Sequence, residues 1–427
     1  MDRWEMMIRN LETTEVTEQL GRLYGKQPET LRQQRERYAA LIRRYGELFG
    51  DRGDIALISA PGRTEIGGNH TDHNHGRVLA ASVNLDALCA ATPREDLLVR
   101  FYSEGYPAIV MDLKDLSVRE EEKGTTQALI RGVAAGMQEA GYRIGGFDAA
   151  VTSTVAGGSG LSSSAALEVM LTGVLDALYN RFDMPYALRA RISQKAENAF
   201  FGKPSGLLDQ MASAAGGLVT VDFGDPAKPE VRALQYDFAA KGYSLAVVAT
   251  GGSHADLTDQ YSAIPAEMRA VARCFGQEYL RGITAEQLIE KAGEIRKTAG
   301  ERALLRAFHF AAEDARVPEQ VRALEEDRTE DFLRLINDSG RSSYMYLQNV
   351  YAPETDQSLS LALCMAEQML QGKGAWRIHG GGFAGTTLNF VPAEETARFT
   401  EVMDRVFGEG ACKVLNIRPE GAAWVKC

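Results

Sequence analysis

The feature that most constrains the fold is a run of glycine and serine residues between an apolar segment and a long helical pattern. The apolar residues at 147–153 predict a strand, and residues 162–179 have the periodicity of a helix. The connecting segment lies within STVAGGSGLSSSAALEVM at 153–170, and its three glycines can adopt positive φ and let a ligand approach the backbone. We therefore expect a strand, a glycine-rich loop and a helix N-terminus in succession.

This loop has the composition of a phosphate-binding site. Three serines stand at the predicted N-cap and first turn, directly before the helix-forming residues AALE. Unpaired backbone N–H groups and the positive end of the helix dipole would meet there and favour a polyphosphate. The alternative is an ordinary strand-to-helix turn with a serine cap, and neither the GK[ST] ending nor the GxGxxG spacing is present. The candidate cofactor-binding residues are Gly157, Gly158, Ser159, Gly160, Leu161, Ser162, Ser163, Ser164 and Ala165.

A second polar motif, APGRTEIGGNHTDHNHGRVLAASV at 60–83, lies nearer the N-terminus. Its short polar side chains between glycines suit a ligand with several hydroxyl groups, because hydroxyls both donate and accept hydrogen bonds. Two alternatives stay open from the residues alone. His70, His73 and His75 could form a metal cluster, although transition-metal sites usually add a cysteine or carboxylate at defined spacing. The motif could also be a polar turn network that satisfies only its own backbone.

Composition narrows the classes of function. The chain has 427 residues, which favours two domains, and its net charge of −11 argues against nucleic acid or an anionic membrane as the main partner. No segment approaches the roughly 20 apolar residues of a membrane-spanning helix, and the charged N-terminal sequence does not have the pattern of a signal peptide. Five scattered cysteines without CxxC pairing fit reduced thiols. We expect a cytoplasmic globular protein.

The order of patterns predicts an α+β protein. Residues 1–50 are expected to form one or two surface helices, and a strand at 55–59 is expected to end at a Pro-Gly break at 61–62. β-rich patterns dominate the front half, amphipathic helices follow between about 265 and 372, and strand-like segments close the chain. We predict an N-terminal helical extension at 1–45, a domain with both motifs at 46–235 and a C-terminal α+β domain at 236–427.

Four motifs, in order, resemble those of the galactokinase family. The segment at 60–83 resembles the signature in which Pro-Gly-Arg leads through glycine to Glu-His-Thr-Asp-Tyr-Asn. The glycine- and serine-rich segment at 153–170, called the serine loop below, is the second motif. It resembles the ATP-binding motif of the wider superfamily of galactokinases and homoserine, mevalonate and phosphomevalonate kinases. AENAFFGKPSGLLDQMAS at 196–213 and GAWRIHGGGFAGTTLNF at 374–390 resemble two further family segments. The resemblance starts near residue 45 and extends to the C-terminus.

The resemblance implies a reaction and a set of roles. It implies a two-domain kinase fold with the active site in the cleft, ATP and Mg²⁺ as cofactors, and a monomer that phosphorylates the anomeric hydroxyl of a free hexose. Asp209 corresponds to the catalytic carboxylate that accepts the hydroxyl proton, and Arg63 to the arginine beside it. Ser164 and Glu197 correspond to Mg²⁺ ligands. The implied sugar contacts are Asn69, His70, Asp72, Gly206 and Tyr261.

Some positions depart from the family pattern. Asn69 stands where the family has the Glu that contacts an outer hydroxyl of the sugar, and His73 replaces a Tyr. In the third motif, His379, Ala384 and Thr386 replace Thr, Gly and Cys. Galactose is the expected substrate, with galacturonate or arabinose as the alternative that these changes motivate. A third hypothesis is a non-catalytic sensor that binds sugar and ATP, although the serine loop, Arg63 and Asp209 are intact.

Overall fold

The computed structural model describes residues 3–155, 160–203, 205–226, 228–251, 258–350, 357–383 and 385–427. The helices in these ranges are α1 (Arg3–Asn10), α2 (Thr14–Tyr24), α3 (Pro28–Phe49), α4 (Thr126–Glu139), α5 (Ser163–Asn180), α6 (Tyr186–Lys195), α7 (Leu208–Ala215), α8 (Thr258–Arg273), α9 (Ala285–Glu290), α10 (Ala292–Thr298), α11 (Glu301–Glu325), α12 (Thr329–Ser342), α13 (Ser358–Leu370) and α14 (Thr396–Phe407). The strands are β1 (Ala56–Gly67), β2 (Arg77–Pro93), β3 (Leu98–Ser103), β4 (Ile109–Asp112), β5 (Phe147–Ser153), β6 (Leu218–Asp222), β7 (Glu230–Leu234), β8 (Tyr243–Ala249), β9 (Ala375–His379), β10 (Thr386–Pro392), β11 (Cys412–Leu415) and β12 (Ala423–Val425).

Two mixed layers of sheet and helix confirm the predicted α+β class. The larger sheet has the strand order β12-β1-β2-β5-β3-β4, and β6 and β7 extend it from β2. Helices α4 to α7 cover this sheet and share its main apolar core. The smaller sheet has the order β11-β8-β10-β9 and packs against α13 and α14. The C-terminal strand β12 pairs with β1, so the chain returns to the larger sheet after the predicted boundary at 235, and that boundary stays a prediction.

The Pro-Gly pair does not end the first strand, contrary to the sequence-based expectation. β1 continues from Ala56 to Gly67 and absorbs the pair in a register shift between Pro61 and Arg63. A Cβ at Gly62 would lie 2.7 Å from the carbonyl oxygen of Leu161, so a glycine is required for the serine loop to approach the strand. The pair therefore marks the contact between the two motifs.

The N-terminal segment forms three helices rather than one or two; α2 and α3 each bury an apolar face, whereas α1 contains no buried residue. Their apolar faces form one core with the larger sheet, in which Tyr38 and Ile42 of α3 lie with Leu57 and Leu88. The Tyr24 hydroxyl donates to the buried Asp86 carboxylate at 2.5 Å. Helices α2 and α3 of the predicted N-terminal extension therefore pack on the larger sheet.

Other differences concern helices that were not predicted. The region between about 265 and 372, where amphipathic helices are predicted, contains α9, α10, α11, α12 and α13 after the end of α8. Helices α6, α7 and α14 had no sequence-based prediction. Within the described ranges, no helix is long and apolar enough to cross a bilayer.

We expect the burial of α3 to be measurable as stability. Ile42→Ala removes a fully buried side chain and should lower the free energy of unfolding by about 2–5 kcal/mol, because it leaves a cavity against the sheet. Arg43→Ala, one residue along the same helix and exposed, should change it by less than about 0.5 kcal/mol. Urea unfolding monitored by circular dichroism measures both. Equal effects of the two variants would contradict the packing of α3 described above.

Candidate active site

The centre of the site is an ion pair between a strand and a helix. Arg63 on β1 donates to the Asp209 carboxylate of α7 in bidentate fashion, Nε to Oδ1 at 2.6 Å and NH2 to Oδ2 at 2.8 Å. Burial raises the pKa of Asp209, whereas the Arg63 charge and the hydrogen bonds from Arg63 and Ser162 lower it by a larger amount. The net pKa of Asp209 therefore lies below the ordinary value. Asp209 is therefore held as a carboxylate.

The serine loop contacts this pair directly. The backbone N–H of Arg63 donates to the carbonyl of Leu161 at 3.0 Å, and its guanidinium donates to the carbonyl of Gly160. Ser162 was predicted as the N-cap of α5, and it occupies that position with a positive φ of 58°. Its hydroxyl does not cap the helix but donates to Asp209 Oδ2 at 2.7 Å.

Within the described residues, the N-terminus of α5 consequently has no side-chain cap from Ser162. The first helical hydrogen bond runs from the N–H of Ala166 to the carbonyl of Ser162. The amides of Ser163, Ser164 and Ala165 precede that bond and lie at the positive end of an 18-residue helix. This part of the loop agrees with the phosphate-site hypothesis, whereas Gly157, Gly158 and Ser159 lie outside the described residues.

The two predicted metal ligands lie together. Glu197 belongs to a π-helical turn, Ala196–Phe201, and its side chain is 2% exposed. The Ser164 hydroxyl donates to Glu197 Oε1 at 3.0 Å, and the Lys203 ammonium lies 2.8 Å from the same oxygen. The Lys203 side chain is 57% exposed, and its ammonium lies beside Glu197, where the predicted metal ion would lie. A bound ligand could displace this exposed side chain. The hard oxygens of these side chains fit Mg²⁺.

Sequence reasoning missed a second carboxylate behind Glu197. The amide of Gln210 donates to Glu197 at 2.8 Å and to the fully buried Glu168 at 3.0 Å. Burial and the charge of Glu197 raise the pKa of Glu168 well above its ordinary value, so Glu168 favours its neutral form. Its position on α5, four residues after Ser164, places it on the same helix face and was the available sequence signal.

Two of the predicted sugar contacts, Asp72 and Gly206, line the same cavity, and His70 lies near Asp72 in sequence. Asp72 is 23% exposed, and its carboxylate accepts no hydrogen bond shorter than 3.5 Å from any residue in the described ranges. Gly206 lies against it, since a Cβ there would be 3.0 Å from Asp72 Oδ2. His70 Nε2 donates to the carbonyl of Gly381 at 3.1 Å, and burial lowers its pKa to about 4. The neutral ring keeps Nδ1 as an acceptor.

Asn69 occupies a different environment from the other predicted contacts. Its side chain is fully buried, and its amide donates to Glu65 Oε1 at 2.9 Å and to the carbonyl of Gly380 at 2.7 Å. Its carbonyl oxygen accepts from Ser343 at 3.2 Å and from Asn349 at 3.0 Å. A sugar contact by Asn69 stays a prediction, and it would require one of these bonds to be exchanged.

The third motif closes the site from the second sheet. The Tyr261 hydroxyl donates to the carbonyl of Gly382 at 3.0 Å, beside the Gly381 carbonyl that His70 contacts. His379 accepts at Nε2 from the N–H of Glu65 at 3.2 Å, which leaves the proton on Nδ1 to donate to Thr386 at 2.8 Å. Burial, with the charges of Arg63 and Arg377, lowers the pKa of His379 to about 3. This neutral ring fixes the strand that carries Arg63.

The arrangement suits transfer of a phosphoryl group to a hydroxyl. An ionised carboxylate can take a proton, an arginine beside it can offset developing negative charge, and a helix N-terminus can receive phosphate oxygens. Among the residues with described positions, no three His, Cys, Asp or Glu side chains form a group that could hold a metal ion.

Comparison with known proteins agrees with this geometry. The model of the galactokinase galactose-binding signature matches residues 43–93, and that of the GHMP kinases N terminal domain matches residues 128–217. The galactokinase of Streptomyces coelicolor is 31% identical over 380 residues, which is 88% of this chain and 94% of that protein. The galactokinase of Actinobacillus pleuropneumoniae serotype 5b is 35% identical over 346 residues, 78% of this chain and 85% of that protein.

Solved structures give the same relationship. The crystal structure of Lactococcus lactis galactokinase complexed with galactose superimposes with a TM-score of 0.77 at 26% identity, covering 90% of this chain and 99% of that one. A mevalonate kinase structure shares the fold at a TM-score of 0.61 and 14% identity, over 84% of this chain and 98% of that one. By fold, by motif and by relatives along most of its length, the chain belongs to the galactokinase family.

Proposed function

We propose that this protein transfers the γ-phosphoryl group of ATP to the anomeric (C1) hydroxyl of galactose, producing galactose 1-phosphate and ADP. The observation that carries the proposal is the bidentate Arg63–Asp209 pair against the serine loop, in a member of a kinase family. ATP is the phosphoryl donor that such a family implies. Galactose is favoured because the relatives named above are galactokinases and one of them is a complex with galactose.

In the proposed mechanism Asp209 is the catalytic residue that accepts the proton of the sugar hydroxyl. A carboxylate with a low pKa is a weak base, so its contribution is to orient the hydroxyl and receive its proton as the new bond to phosphorus forms. Arg63 is bonded to both Asp209 and the Gly160 carbonyl, which supports a role for its charge beside the transferring group. The amides at the start of α5 would bind phosphate oxygens.

Mg²⁺ belongs to the proposal through Ser164 and Glu197. When bound, the ion would neutralise phosphate charge, and these two side chains would hold it with hard oxygens. Sugar binding is assigned to Asp72 and Gly206, which line one cavity, and to His70 and Tyr261, which contact the neighbouring carbonyls of Gly381 and Gly382. A monomer and a cytoplasmic location stay predictions; the five cysteines are free thiols, which agrees with the second.

The decisive assay is purified protein with ATP, Mg²⁺ and a panel of free sugars. We expect galactose to be the best substrate, with the product identified as a C1 phosphate by phosphorus NMR. Asp209→Asn should lower kcat by about 10²–10⁴-fold, because the amide cannot accept the proton. Asp112→Asn, a surface carboxylate, serves as the control. Galactose turnover at background would contradict the proposed substrate, and near-normal turnover by Asp209→Asn would contradict the proposed base.

The pH profile tests the role of Arg63. In the wild type the pKa of Asp209 is below its ordinary value of 3.8, so this group should produce no loss of kcat/KM between pH 8 and pH 5. Arg63→Gln removes the charge that opposes burial, and the pKa should rise above the ordinary value. Because the carboxylate is the active form, kcat/KM of the variant should fall as pH decreases through that raised pKa. Arg334→Gln is the exposed control, and an Arg63→Gln profile parallel to the wild type would contradict the assignment.

Magnesium titration tests Glu197. Glu197→Gln removes one negative ligand and should raise the Mg²⁺ concentration for half-maximal activity by about tenfold or more, with a smaller effect on the KM for galactose. Glu139→Gln, whose carboxylate pairs with Lys195 at the surface, is the matched control. An unchanged Mg²⁺ requirement in Glu197→Gln would argue against this residue as a ligand.

A further inference from the structure

Glu65 lies on the same face of β1 as Arg63. The strand is regular between its two register shifts, where Arg63, Thr64 and Glu65 pair in sequence with Ser82, Ala81 and Ala80. Alternate residues of a strand point to one face, and the burial agrees: Arg63 and Glu65 are partly exposed, whereas Thr64 is fully buried. The Glu65 side chain is therefore directed to the side of the sheet where Arg63 meets Asp209.

One oxygen of Glu65 is committed to the protein and the other is available. Oε1 accepts from Asn69 Nδ2 at 2.9 Å and from Arg377 NH2 at 3.0 Å. No donor in the described part of the chain bonds to Oε2. Arg377 is fully buried and also donates to the carbonyls of Ile66 and Ile378, so the carboxylate has a fixed orientation. Glu65 is thus held in place with an unused acceptor at the cleft.

Asn69 cannot supply the same acceptor without losing bonds, because its oxygen already accepts from Ser343 and Asn349. Residues two apart on a strand are separated by about 7 Å. Arg63 reaches the Asp209 carboxylate, which is the proposed acceptor of the anomeric proton. Glu65 therefore lies about 7 Å along the strand from Arg63, whose guanidinium holds the Asp209 carboxylate.

We propose that Glu65 is a specificity-determining residue whose Oε2 accepts a hydrogen bond from a sugar hydroxyl remote from the anomeric carbon. This inference rests on the proposed function. Asn69 and Arg377 are positioning residues that orient the Glu65 carboxylate. A hydroxyl has a proton to give to Oε2, whereas a substrate carboxylate at that place would put two acceptors together with no proton between them. Glu65 therefore selects a neutral hexose against a hexuronate.

The test combines Glu65→Gln with galactose, its 3-, 4- and 6-deoxy analogues, and galacturonate. For galactose, kcat/KM should fall about 10- to 100-fold in the variant, the effect of one hydrogen bond to a charged group, while the KM for ATP stays within about twofold. For one deoxy analogue, kcat/KM should be low with the wild type and should not fall further in the variant. The missing hydroxyl and the missing carboxylate are the two partners of one hydrogen bond, so losing the second partner has no added effect. The galacturonate-to-galactose activity ratio should rise.

Glu65→Asp keeps a carboxylate to pair with Arg377 but withdraws the free oxygen by one methylene. It should therefore lose the coupling between the carboxylate and the sugar hydroxyl, even if the glutamine variant is unstable. Glu139→Gln is the surface control. Wild-type turnover is measured first: no activity on galactose would contradict the proposed function. If the wild type is active, a second comparison decides the role of Glu65. The role would be overturned if every deoxy sugar lowered kcat/KM relative to galactose by the same factor in the wild type and in both variants. A parallel rise in the KM for ATP would indicate general disruption and overturn it as well.

Discussion

The ion pair between Arg63 and Asp209 is the interaction on which the site depends. It joins the first strand of the larger sheet to α7, and the same arginine contacts the carbonyls of Gly160 and Leu161 through its side chain and backbone. Three segments that are distant in sequence are thereby fixed at one point. A base, a cation and an open helix end can act on the same pair of reactants only because this contact sets their relative positions.

Such a pair is costly to bury unless its other hydrogen-bonding capacity is used. Desolvation of both ions opposes the pair, and only good geometry with additional hydrogen bonds offsets that cost. Ser162 supplies one of those bonds by donating to Asp209 rather than capping its own helix. Because Ser162 does not cap the helix, the hydroxyl that bonds the proposed base also leaves the first amides of α5 available to the proposed phosphate site.

Local patterns predicted much of the fold, and long-range contacts account for the rest. The strand at 147–153 and the helix after the serine loop followed from apolar periodicity and small residues, which act over a few positions. The burial of Ile42 against Leu57 and the bond from Gln210 to Glu168 join residues far apart in sequence, and no local pattern encodes them. The proposed roles of Arg63 and Asp209 come from family resemblance, whereas the proposed role of Glu65 depends on the register of β1.

The departure from the family pattern at Asn69 is explained by its neighbours. Its side chain meets two acceptors, Glu65 and the carbonyl of Gly380, and two donors, Ser343 and Asn349. An amide satisfies both kinds of partner at once. A glutamate at this position would place a second carboxylate against Glu65 with no proton between them, in a buried environment where like charges repel strongly. The identities of residues 65 and 69 are therefore physically coupled. Because Glu65 places a carboxylate on the strand, position 69 in the loop requires an amide. The negatively charged acceptor in the cleft is then Glu65.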